Sequence, residues 1–171
     1  MANRPTLLNS CARAATAAEA RFRIEGGPRT PRSIRVVALD SAAATAVRSV
    51  AGAAWPGTRF LTYDPAVAQL PDDPADLVLG TDEGSAVRLS DELANADFCM
   101  MVAIGNDGVA AVATIGHACA MGGIMTAGIV IGNSGKAVAA LRPHARVLLV
   151  TSDAQDVAEL LNAVGGPGVQ P

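Results

Sequence analysis

The chain has 171 residues, 13 basic and 16 acidic; half are hydrophobic but only 3% are aromatic. That length suits one domain plus a tail, and the core must be built from Ala, Val, Leu and Ile. Residues 1–32 hold six arginines against Glu19 and Glu25 (+4), whereas residues 33–164 hold Lys136 and six arginines against fourteen acids (−7), and an acidic body argues against a nucleic-acid groove, which needs clustered Lys and Arg.

The break "GGPRTPR" (26–32) separates a basic leader, residues 1–32, from a body over 33–164 and a frayed tail, 165–171. In the body, "SIRVVALD" (33–40) reads as a strand and "SAAATAVRSVAGAA" (41–54) as a helix. "TRFLTYD" (58–64) is a strand, and "PDDPADLVLG" (71–80) is a turn with a short strand. "SDELANA" (90–96) is a helix capped by Ser90. "DFCMMVAI" (97–104) is an apolar run of strand length, followed by a helix over 107–123 that stops at Gly122-Gly123. "IMTAGIVI" (124–131) is a strand and "SGKAVAALRP" (134–143) a short helix. "ARVLLVT" (145–151) is the last strand, and "SDAQDVAELLNAV" (152–164) the last helix, capped by Ser152. Strands apolar on both faces and separated by helices predict a mostly parallel sheet covered on both sides, a Rossmann-like three-layer α/β sandwich.

Gly108–Gly135 contains no charged residue, but it is broken by Gly122-Gly123 and lacks aromatic or basic flanks; a buried helix and strand are expected there, not a membrane span. Cys11, Cys99 and Cys119 are odd in number and scattered, and His117 and His144 lie far apart, so neither a disulfide framework nor a metal site is expected. Reduced thiols and the lack of an apolar signal segment point to a cytoplasmic protein. Many small apolar residues predict surfaces that pack against copies of the same chain, making a homo-oligomer the expectation.

Two stretches, "AIGNDG" (103–108) and "VIGNSG" (130–135), repeat one strand-to-helix device 27 residues apart. They should place backbone-rich loops at the carboxyl edge of neighbouring strands, where open α/β sheets bind ligands. "VIGNSGKA" resembles a phosphate loop but has Val130 and Ala137 where a Walker loop has its first glycine and its hydroxyl. It reads equally as an anion-binding helix start or as an ordinary tight turn; if it binds an anion, Gly135→Val is expected to damage both binding and stability by burdening the turn with a β-branched side chain. A dinucleotide template finds Asp64 where a ribose-binding acid belongs, but no glycine in "LDSAAATAV" (39–47). Asp40 reads as a helix cap or a ligand hydrogen-bonder. The acidic strip "GTDEGSAVRLSDE" (80–92) is expected to overhang the same edge, and His117 to sit in the core. The candidate ligand-binding residues are therefore Asp40, Ser41, Asp64, Gly105, Asn106, Asp107, Gly108, Gly132, Asn133, Ser134, Gly135 and Lys136.

With those elements placed, residues 96–132 resemble the nucleotide-binding domain of the tubulin/cell-division GTPase superfamily, a likeness of topology spanning residues 33–150. It implies a nucleotide-binding α/β fold with phosphates at the loop matched by Gly105 and Gly108. The family's other glycine loop would fall on Ser41–Ala44, where this chain has no glycine, and its second domain has no counterpart. GTP hydrolysis is accordingly not expected.

Three functions follow. The leading one is a small-ligand-binding or sensing domain, with the ligand at the carboxyl edge. The second is a structural subunit of a homo-oligomer or larger complex. The third is an enzyme acting on a small phosphorylated or amino substrate through Asp107, Asp82 or His117. No cofactor is indicated.

Overall fold

The structure is a computed structural model in which residues 32–52, 55–66 and 70–165 are described. The expected leader lies outside them apart from Arg32, and so does the chain after Gly165.

Seven strands form one sheet: β1 (Ile34–Ala38), β2 (Thr58–Thr62), β3 (Val78–Thr81), β4 (Ala86–Arg88), β5 (Phe98–Ala103), β6 (Met125–Ile131) and β7 (Val147–Thr151). Their spatial order is β4-β3-β2-β1-β5-β6-β7. Five are parallel, from β2 to β7, whereas β3 runs antiparallel to β2 and, with β4 antiparallel to it in turn, closes one side as a hairpin. Between them lie α1 (Ser41–Ala51), α2 (Leu89–Leu93), α3 (Val109–Met121), α4 (Gly135–Leu141) and α5 (Gln155–Gly165). The fold is a Rossmann-like α/β sandwich.

Strand alternation assigns the two faces. Ile34, Val36 and Ala38 of β1 pack with Ala43, Val47 and Val50 of α1 and with Val157 and Leu161 of α5. Val37 and Leu39 face the other way, into a core shared with Leu89, Val112, Ile115 and Leu141 of α2, α3 and α4. Strands β1 and β5 are buried throughout, as the continuous apolar run of β5 requires. The uncharged 28-residue stretch becomes α3 plus β6, and among the described residues no helix is long and apolar enough to cross a membrane.

One charged group enters the sheet. Arg35 of β1 is buried beside Glu92 of α2, Nε to Oε2 at 2.9 Å, and Arg59 reaches the other carboxylate oxygen at 3.2 Å. The Arg35 Nε–H does not point along the line to Oε2, so this contact is ionic and not a directed hydrogen bond.

Several local expectations change. Helix α2 starts at Leu89, ahead of Ser90, with no side-chain cap. Helix α5 starts at Gln155, its first turn tied by Asp153 and not by Ser152: Asp153 Oδ1 accepts from Gln155 N at 2.8 Å. His117 is exposed, because the buried stripe of α3 is Ala111, Val112, Ile115, Gly116 and Cys119, and position 117 turns away from it. The strip 80–92 is no overhanging loop. It is the β3–β4 hairpin and α2, and since β3 descends against β2 (Thr62 opposite Gly80, Leu61 opposite Thr81), its turn at Asp82–Ser85 heads toward the amino end of β2.

Candidate functional site

The chain leaves β1 for β2 on one side and returns to β5 on the other, so the connections diverge between β1 and β5. In open α/β sheets such a switch point, at the carboxyl ends of the strands, is where a crevice forms. Here Asp40 fills its base. Its carboxylate is 2% exposed: Oδ1 accepts from Ala43 N at 2.8 Å, capping α1, while Oδ2 accepts from Ile104 N at 3.0 Å and Gly105 N at 2.9 Å. The protein's own carboxylate thus takes the backbone N–H groups that a bound anion would need at that point.

On the β5–β6 side the two repeated loops meet. Ser134 caps α4 by accepting from Ala137 N at 3.2 Å, and its hydroxyl donates to Asn106 Oδ1 at 2.6 Å. Gly132 holds φ 99°, a left-handed backbone that glycine adopts without strain, and its N–H donates to Thr151 O at 2.6 Å. Gly108 serves close packing instead. A Cβ there would lie 1.7 Å from Leu39 O, so α3 starts in direct contact with the end of β1. Gly135 has neither a positive φ nor a neighbour within 4 Å of a Cβ, so the damage expected from valine has no steric basis there. Asn133, Gly135 and Lys136 are exposed.

On the β2 side the surface is hollow. A cleft of about 1050 Å³ is walled by Ser41, Ala44 and Arg48, one stripe of α1 at helical spacing. Its floor is one face shared by Thr62 of β2, Val78 and Gly80 of β3 and Ala86 of β4, which no helix of the described residues covers; Val78 is 43% exposed there. Its head, at the carboxyl edge, is Tyr63, Asp64, Pro65, Ala66 and Asp107. Asp64 Oδ1 accepts from Ala66 N at 2.9 Å, which fixes the turn and leaves Oδ2 open. Burial, and then the neighbouring Asp64, push the Tyr63 hydroxyl above its ordinary range, so it remains neutral.

The cleft therefore gathers three of the candidate residues, Ser41, Asp64 and Asp107. Asp40 and Gly105 lie at the switch point beneath, and Asn106, Gly108, Gly132, Asn133, Ser134, Gly135 and Lys136 belong to the other flank. Sequence reasoning missed Arg48, Thr62 and the hairpin floor. A signal existed for two of these: Ser41, Ala44 and Arg48 share one helical face, and Asp-Glu-Gly-Ser between "VLGT" and "AVR" is a hairpin turn.

Among the described residues the charges in the cleft are unpaired. Among the described residues the ion pairs are those of Glu92 with Arg35 and Arg59, and Arg88 with Asp76. Among the described residues Arg48 reaches only Ala44 O (3.2 Å) and Thr45 Oγ1 (3.5 Å) on its own helix, and Asp64 and Asp107 have no basic partner. Among the described residues no three of His, Cys, Asp and Glu gather as a metal site. Cys99 is hydrogen-bonded to Cys119 and buried; both effects push its thiol well above the ordinary range, away from a thiolate nucleophile.

Neither a family model nor a curated protein matches this chain.

Proposed function

We propose that the protein binds a small polar ligand in the cleft between α1 and the β2–β3–β4 face, with the head of the ligand at the carboxyl edge beside the loop 103–108. The observation that carries this reading is the cleft itself: an open hollow beside the switch point whose Arg48, Asp64 and Asp107 have no charged partners among the described residues. Small-ligand sites are concave and hold a few convergent polar groups, and charges left unpaired around a hollow are satisfied by a ligand that brings the complement. A cationic group on the ligand faces Asp64 and Asp107, while an acceptor or anionic group faces Arg48 and Ser41.

Binding or sensing fits better than catalysis. No nucleophile sits beside a base among these residues, and the buried Cys99 is held as a thiol. A reducing, cytoplasmic setting keeps that thiol and Cys119 free. The likeness to tubulin-type nucleotide domains makes GTP and GDP necessary members of any ligand panel.

A thermal-shift screen of amino acids, polyamines, sugar phosphates and nucleotides, followed by calorimetry, tests the reading. A ligand at one hundred times its Kd stabilises by about 2.7 kcal/mol, which for this size raises Tm by roughly 5–10 °C. Binding that Asp64→Asn and Asp107→Asn weaken supports the cleft. Binding indifferent to both, or no shift with any compound, refutes it.

A further inference from the structure

We propose that the β7 edge of the sheet is a self-association surface, on which a second copy of this chain adds its own β7 in antiparallel orientation. The ligand reading plays no part in this, because the cleft lies at the opposite side of the sheet.

The two ends of the sheet differ. Strand β4 is three residues long and carries Arg88, which pairs with Asp76 at 3.6 Å. Brevity and charge are the devices by which proteins keep an edge from pairing. Strand β7 has neither. It reads Val-Leu-Leu-Val-Thr, with no charge, proline or glycine, and among the described residues no strand pairs with its outer side. Because side chains alternate, both faces of this edge are apolar. Val147 is 51% exposed on the face of α1 and α5, where Met125 of β6 is 46% exposed; Val150 is 51% exposed on the other face.

Charge selects the occupant. Arg146 precedes β7 and has no acidic partner among the described residues. Asp153 follows β7, exposed, with one carboxylate oxygen on Gln155 N and the other unbonded among the described residues. In a two-fold antiparallel pair the start of each β7 lies along the end of the other, so Arg146 comes beside Ser152–Asp153 of the second copy, twice. Parallel addition would set like charges together and would not close by two-fold symmetry. The edge is complementary to itself in one direction only.

Sedimentation equilibrium on the full chain should give twice the 17.2 kDa chain mass, dissociating on dilution. Val150→Lys puts like charges across the two-fold at a half-exposed site and should give a folded monomer that melts as dilute wild type does, without the concentration-dependent rise in Tm that a dimer shows. Arg146→Glu should weaken the dimer, and Arg146→Glu with Asp153→Lys should restore it; this pair of variants decides the matter if Val150→Lys does not fold. A wild-type monomer at every soluble concentration overturns the proposal. So does a Val150→Lys dimer as strong as wild type, or a double variant no stronger than Arg146→Glu alone.

Discussion

The two flanks of the switch point are built from the same kind of element, a strand followed by a turn and a helix, yet one is closed and the other open. On the β5–β6 flank the loops are rich in glycine, bonded to each other through Asn106 and Ser134, and packed onto Leu39 through Gly108. On the β2 flank the turns contain almost no glycine, and among the described residues a cleft lies beside α1 because an antiparallel hairpin stands where a parallel strand with its helix would. Of the glycines on the β5–β6 flank, Gly108 marks close packing and Gly132 a left-handed turn. The hollow comes from topology.

Replacing Asp40 breaks the comparison most severely, because that carboxylate joins the flanks. Asp40→Ala removes the acceptor for Ala43, Ile104 and Gly105 N–H groups in a buried place. Hydrogen bonds to a charged group contribute about 1.5–3 kcal/mol each, not additively, so urea denaturation should show a loss of about 3–4 kcal/mol. A loss under about 1 kcal/mol would mean that solvent satisfies those amides and the flanks are not clamped.

The glycines separate next. A Cβ at Gly108 meets backbone atoms of Leu39 at 1.7 and 2.5 Å, so Gly108→Ala forces main chain apart and should cost about 2–3 kcal/mol. At Gly105 the nearest atoms to a Cβ are those of the Asp40 carboxyl group at 3.8 Å, an ordinary contact. Gly105→Ala should stay within about 0.5 kcal/mol of wild type. Equal losses at the two positions would show that the loop needs glycine for its backbone and not for packing.

That contrast explains what the sequence makes legible. The parallel core is readable because β5 and β6 are almost wholly apolar on both faces, β1 is apolar apart from Arg35, and α3 and α5 end with clear signals. The hairpin is not, because Val78–Thr81 and Ala86–Arg88 are too short for alternation to show, and a strand's direction is set by its neighbours and not by its own residues. Reading β3 as pointing up with the others puts Asp82 and Glu83 at the wrong end of the sheet. Glycine clusters draw the candidate residues toward the closed flank, whereas Arg48 and Thr62 lie on regular elements without a motif.

A smaller effect tests how firmly the closed flank is tied. Ser134→Ala removes the cap of α4 and the link to Asn106. An N-cap serine contributes about 1 kcal/mol, and hydrogen exchange should speed up at Ala137 and in the 103–108 loop together. If only Ala137 responds, the two loops move independently and the Asn106 contact does not couple them.

The smallest change in stability carries the sharpest functional contrast. Arg48 lines the open flank, and Lys136 is exposed on the first turn of the seven-residue α4 on the closed one. Neither is in an ion pair among the described residues, so Arg48→Ala and Lys136→Ala should each leave stability within about 0.5 kcal/mol. Their effects on ligand should differ. A guanidinium hydrogen-bonded to a bound acceptor contributes about 1.5–3 kcal/mol, a factor of at least ten in affinity, so Arg48→Ala should weaken by that much whatever the screen finds, with Lys136→Ala binding as wild type does. The opposite result, calorimetric affinity lost with Lys136 and kept without Arg48, would move the ligand to the glycine loops and make the start of α4 its anion site. Loss with both would place the ligand across the switch point, with Asp40 beneath it as the part of the floor it cannot displace.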